Sequence, residues 1–126
     1  MQVPDDLLYT AEHEWIKRLD DSTVRIGITD YAQDQLGDVV YVELPEEEAT
    51  IAKDDLLVEV ESTKSVGEVY APVPGTISKV NQAVVDAPEL VNESPYEKGW
   101  FVELSIEGGL DTGGLLDAAA YRDLTE

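Results

Sequence analysis

The chain has 126 residues and a mass of 13.8 kDa, inside the ~100–150 residues typical of one domain, so two independent cores are not expected. No apolar run approaches the ~18–20 residues needed to cross a bilayer, MQVPDDLLYT lacks the basic-then-apolar start of a leader, and zero cysteines exclude disulfides, thiolate metal sites and a cysteine nucleophile. A formal charge of −20, from 28 acidic against 8 basic residues, repels phosphate backbones and anionic membranes, so neither nucleic acid nor a membrane surface is an expected partner.

Short segments alternating apolar and polar residues, separated by turn signals, predict a mostly β protein built from half-buried antiparallel strands. The first two expected strands run from His13 to Arg18 and from Thr23 to Ile28. Thr29 or Asp30 can then cap a short helix through YAQDQL, with Gly37 closing it in the left-handed conformation. A strand from Val39 to Glu43 leads into the acidic loop PEEEAT, read as a solvated turn. Further strands are expected from Leu56 to Glu61, Val66 to Tyr70 and Gly75 to Val80. The last two are joined by a crossing rich in Pro and Gly, which suits a flattened sandwich. A turn of helix is expected after Pro88, and a last strand from Phe101 to Ser105. Beyond a Gly113-Gly114 break, Asp111 or Thr112 precedes a C-terminal helix over about 112–124, with Leu116, Ala119, Ala120 and Leu124 on the face that packs against the barrel. Trp15, Tyr41, Tyr70 and Trp100 read as core or interface aromatics, and Gly67 and Gly75 as backbone geometry.

The informative feature is Lys64 in VEVESTKSVGEV, where small Ser62, Thr63 and Ser65 surround it between two strand patterns. The amine therefore stands at a hairpin tip, open to a modifying enzyme and free of core contacts. By itself such a lysine is most often a plain solvated turn residue. Pro72, Pro74 and Gly75 in the next turn set a rigid reversal that holds the hairpin out.

Taken together, LLYTAEHEW, GITDYAQDQLGDVVYVELPE, VEVESTKSVGEVYAPVPGTISKVN and PELVNESPYEKGWFVEL resemble the H proteins of the glycine cleavage system over nearly the whole chain. The resemblance implies a lipoyl/biotinyl-type barrel-sandwich hybrid with short helices and a C-terminal helix. It makes residues 1–126 one carrier domain with its core hairpin region at 54–82. It also implies lipoic acid in amide linkage on Lys64, so that the protein supplies the address and the cofactor the chemistry. A pyridoxal-phosphate glycine decarboxylase (P protein) would load an aminomethyl group on the arm. A folate-dependent aminomethyltransferase (T protein) would take it, dihydrolipoyl dehydrogenase (L protein) would reoxidise the dithiol, and a lipoate-attaching enzyme would install the arm. The carrier itself would be non-catalytic, cytoplasmic and monomeric.

By the same resemblance Glu14 of HEW matches the cleft carboxylate, and His13 is its neighbour. Glu68, four residues past Lys64, is placed to face the docked arm. The chain departs from some family members at Gln35, where they carry a histidine. With Lys64 and Glu14 both exposed, substituting either is not expected to unfold the domain. Glu59, Glu61 and Glu68 read either as solvated strand charges or as guides for a basic partner. The overall acidity fits basic partners or a salt-loving source. A lipoyl domain of a 2-oxoacid dehydrogenase, or a lipoyl-relay protein, offers the same hairpin lysine. A biotin carrier is disfavoured because Thr63 and Ser65 stand where methionines usually flank the target. A hydrolase would need a nucleophile and base, and the one histidine lies in a strand pattern without a serine elbow.

Overall fold

Alternating side chains along the sequence become two facing sheets in the computed structural model, which describes residues 2–110 and 112–125. In chain order the elements are β1 Leu8–Tyr9, β2 Glu14–Asp20, β3 Thr23–Ile28, α1 Asp30–Leu36, β4 Val39–Glu43, β5 Thr50–Ile51, β6 Leu56–Ser62, β7 Val66–Tyr70, β8 Gly75–Val80, α2 Gln82–Asp86, α3 Leu90–Glu93, β9 Val102–Ser105 and α4 Ala118–Thr125. Six strands make one sheet in the order β1-β2-β3-β9-β8-β5, and β4-β6-β7 make a second. Every pairing is antiparallel, as expected where each sheet has one face on the core. The result is the flattened β-sandwich with short helices expected from the strand pattern.

Inward positions of both sheets fill the main core: Ile16, Val24, Ile26, Ile77 and Leu104 from one, Val42, Val58 and Val60 from the other. Each such side chain stabilises the fold by about 1.5–3 kcal/mol when removed from water. A second cluster forms where α4 closes over the start of the chain, burying Tyr9, Trp15, Ala118 and Tyr121 together. Tyr9 and Tyr121 stack with ring centroids 4.7 Å apart, and the Trp15 indole N–H donates to the Pro95 carbonyl at 2.9 Å. Among the described residues no helix is long and apolar enough to cross a membrane.

Four local expectations change. His13 is not in a strand: its φ of 71° ends the extended run, and β2 begins at Glu14. Gly37 takes a positive φ of 83°, but its ψ of −161° is not the left-handed helical value expected. The C-terminal helix does not span 112–124. Leu116 instead exchanges backbone hydrogen bonds with Tyr9, at 2.7 and 2.8 Å, and Asp117 then accepts the Ala120 N–H at 2.9 Å to start α4 at Ala118. The buried face is consequently Ala118 and Tyr121 rather than Leu116, Ala119, Ala120 and Leu124. Thr112 lies before α4 and caps nothing, and the Asp111 alternative lies outside the described residues. The acidic loop ends in a strand, because Thr50 and Ile51 pair with Thr76 and Gly75. Gly75 is obligatory there: a Cβ would lie 2.6 Å from the Ser105 carbonyl oxygen.

Candidate functional site

β6 and β7 form a hairpin whose turn is fastened by one side chain. Ser62 Oγ accepts the Ser65 N–H at 3.0 Å and the Lys64 N–H at 3.3 Å, while donating to the Ser65 carbonyl at 3.1 Å. Local hydroxyl bonds of this kind replace the ladder where a strand must reverse. The tip is braced from outside by the Thr63 N–H donating to Asp38 O at 3.0 Å. Asn92 on α3 fixes that brace in turn, accepting from Val39 N at 2.8 Å and donating to Gly37 O and Gln33 Oε1, each at 2.9 Å. Lys64 itself is exposed. Its aliphatic stem runs over Gly37, where a Cβ would meet Lys64 Cε at 3.1 Å.

Beside this root, between α1 and the β2 and β7 strands, lies a cleft of about 190 Å³. Ile28, Ala32, Leu36, Val60 and Val69 make its apolar walls. Gly67 lets α1 approach, since a Cβ there would meet Leu36 at 3.0 Å. His13 and Glu14 give the cleft a polar end, and Glu12, Gln35 and Glu68 also line it. A larger open groove of about 550 Å³ lies between residues 2–4 and 93–97, and holds neither Lys64 nor Glu14.

Glu14 is buried, at 4% exposure, rather than exposed as expected. The Thr10 hydroxyl donates to its Oε1 at 3.0 Å, and the Glu14 N–H returns a bond to Thr10 Oγ1 at 3.1 Å. Burial pushes the carboxyl up to about 7, reinforced by the charge of Glu12, while the Thr10 bond holds it back. Because a carboxylate offers about four acceptor positions, the Thr10 hydroxyl leaves capacity for a ligand N–H.

His13 is half-buried, with its ring centroid 4.5 Å from that of Tyr31 and its Nδ1 2.8 Å from Tyr121 Oη. Burial lowers its pKa, with Glu12 opposing, so the ring is neutral at pH 7. The fold thus brings His13, Glu14 and Glu68 around one cleft and sets Lys64 next to it across Leu36 and Gly37. Trp15 is core, Trp100 carries the Arg25 guanidinium 4.7 Å from its ring centroid, and Tyr41 and Tyr70 are surface aromatics. Sequence reasoning missed Thr10, Tyr31, Asn92 and Tyr121. Only Thr10 had a local signal, its four-residue spacing from Glu14.

A flattened β-sandwich that lifts one lysine on a hairpin beside an apolar cleft ending in a buried carboxyl is the architecture of a carrier for a tethered arm. Residues 7–126 match the glycine cleavage H-protein family. The chain belongs to that family, the lipoyl carriers of the glycine cleavage system. It is 56% identical over 124 residues to the glycine cleavage system H protein of Mycolicibacterium smegmatis, covering 96% of this chain and 95% of the relative. It is 50% identical over 125 residues to that of Kocuria rhizophila, covering 98% of each. The crystal structure of the glycine cleavage system H protein from Mycobacterium marinum superposes with a TM-score of 0.89 at 39% identity, covering 98% of both chains.

Proposed function

We propose that Lys64 bears the lipoyl group in amide linkage and that the adjacent cleft holds the loaded end of the arm. The observation that carries this reading is the continuity from root to cleft: the exposed Lys64 stem lies on Gly37, and the next residue, Leu36, already lines the cleft that ends at Glu14. The residues fit the group, since an apolar chain meets Ile28, Ala32, Leu36 and Val69, and an amine at its end meets an acceptor with unused capacity. When bound, the group supplies a cyclic disulfide that takes up the aminomethyl unit.

The chain's own residues bind, orient and exclude water. Ser62 and the Asp38 brace present the amine at a fixed place. The apolar walls keep water from the loaded end. Glu14 accepts an N–H, and a cationic amine beside it draws its proton off, because an opposite charge favours the ionised form. On this reading residues 1–126 act as one carrier unit, non-catalytic and monomeric in the cytoplasm. It is loaded by the glycine decarboxylase, unloaded by the aminomethyltransferase, reoxidised by dihydrolipoyl dehydrogenase and modified by a lipoate-attaching enzyme. A tether raises the effective concentration of its cargo at whichever partner is docked.

Intact mass with peptide mapping of protein from its own host tests the assignment: one lipoyl increment on the peptide containing Lys64 is expected. Lys64→Arg keeps the charge but cannot form the amide. It is expected to keep the fold by circular dichroism and lose the mass increment completely. A lipoyl group found elsewhere, or carrier activity retained in that variant, would end the proposal.

A further inference from the structure

Tyr121 enters the cleft's chemistry from the far end of the chain, 108 residues from His13 and 92 from Thr29. Its hydroxyl, with one proton to give, lies 2.8 Å from His13 Nδ1 and 2.7 Å from Thr29 Oγ1. Thr29 decides the direction. It is fully buried, and its oxygen already accepts the Ala32 N–H at 3.2 Å as the cap of α1. The Thr29 proton then needs an acceptor, and among the described residues Tyr121 Oη is the one in range. A buried hydroxyl proton without a partner is costly, so Thr29 donates to Tyr121 and Tyr121 gives its own proton to His13 Nδ1. Nδ1 accepting leaves the ring proton on Nε2. Nε2 has no protein partner among the described residues. Nor is it sealed, since no buried side-chain nitrogen or oxygen there lacks a hydrogen bond. It is therefore open to solvent, on a residue that lines the cleft.

We propose that Tyr121 is a positioning residue, which relays the Thr29 hydroxyl bond to hold His13 as the Nε2–H tautomer and so sets a donor beside the Glu14 acceptor in the arm cleft. Donor and acceptor together fit a primary amine carried close to an acceptor atom such as sulfur, which a carboxylate alone would not distinguish from any other amine. Glu12, Glu14 and Glu68 are the charged groups that line the cleft with His13, and Tyr31 covers the ring from α1. Burial favours the neutral ring and keeps the Tyr121 phenol protonated, so the relay persists at neutral pH. The inference rests on the arm-holding reading of the cleft, but the tautomer does not.

The chain has one histidine, so long-range proton–nitrogen correlation spectra of the unlipoylated protein at pH 7.5 report this ring alone. Expected is protonated Nε2 with acceptor Nδ1, favoured ~5-fold beyond the intrinsic preference of a free histidine ring for that form, the scale of one net hydrogen bond. Tyr121→Phe is expected to lower that ratio by about the same factor. A dominant Nδ1–H form in the parent overturns the proposal without any variant, so a failure of Tyr121→Phe to fold leaves the test intact. An unchanged ratio in a folded Tyr121→Phe overturns it too. In the lipoylated protein the same variant is expected to shorten the loaded arm's lifetime several-fold at unchanged lipoyl stoichiometry, and an unchanged lifetime removes the link to the arm. Absence of lipoyl on Lys64 would instead sink the function proposed above and leave the tautomer result standing.

Discussion

Glu14 is held in a state that burial alone makes costly. Its carboxyl is pushed up to about 7 from an ordinary 4.5, so between those values the folded chain keeps a proton that the unfolded chain releases. The stability this group contributes is complete below the unfolded value and is lost as pH rises through the folded one. Glu14→Gln keeps the shape without the ionisation. It is expected to flatten that dependence and to raise unfolding free energy at pH 8 by on the order of 1–3 kcal/mol over the parent. Denaturant unfolding at pH 5 and pH 8 checks this, and a variant less stable than the parent at pH 8 contradicts the burial account. The same substitution weakens the acceptor for a cationic amine, so stability and arm holding are expected to move in opposite directions. A site residue that destabilises its own fold marks function more clearly than one that is merely exposed.

The β6–β7 hairpin has its position set by a neighbour from α3. Asn92 satisfies Val39 N and Gly37 O together, and Asp38 between them receives the Thr63 N–H. Asn92→Ala is expected to cost about 1–3 kcal/mol, the scale for leaving such groups unpaired, and to speed amide exchange at Val39 while slowing lipoylation of Lys64. Protected exchange at Val39 in the variant would remove Asn92 as the brace. Element by element, what was legible in the chain was what is local. Strands Thr23–Ile28, Val39–Glu43, Val66–Tyr70 and Gly75–Val80 coincide with their alternating runs, and Lys64 stands out because its turn is written in adjacent serines. β1 and β5 have two residues each, too few to show a period. α2 hid behind Asn81, which caps it by accepting from Ala83 N. The apolar Leu116 read as helix because its true partner, Tyr9, is remote in sequence. His13 and Glu14 were reachable only through family resemblance, while Asn92 and Tyr121 act across 53 and 108 residues and leave no nearby pattern.

At the scale of the molecule, the −20 charge is scarcely neutralised internally. Arg25 pairs with Glu103 and Arg122 with Asp5, both at about 3 Å, whereas Glu43, Glu59 and Glu68 stand directly opposite one another across β4, β6 and β7. Like charges in cross-strand register are destabilising. Raising salt from about 0.01 M to about 1 M shortens the screening length from ~30 to ~3 Å, and is expected to raise the thermal midpoint by several degrees. A midpoint that stays level or falls would show that self-repulsion does not limit stability. Added salt is also expected to slow association with any basic partner. The bare backbone at Gly37, over which the Lys64 stem lies, has its own kinetic meaning. With the arm on Lys64 as proposed and no side chain to climb, its root would roll from stowed to outstretched by turning ordinary single bonds, so that how often cargo was offered to a waiting enzyme would hinge on one hydrogen standing where a methyl group would act as a doorstop.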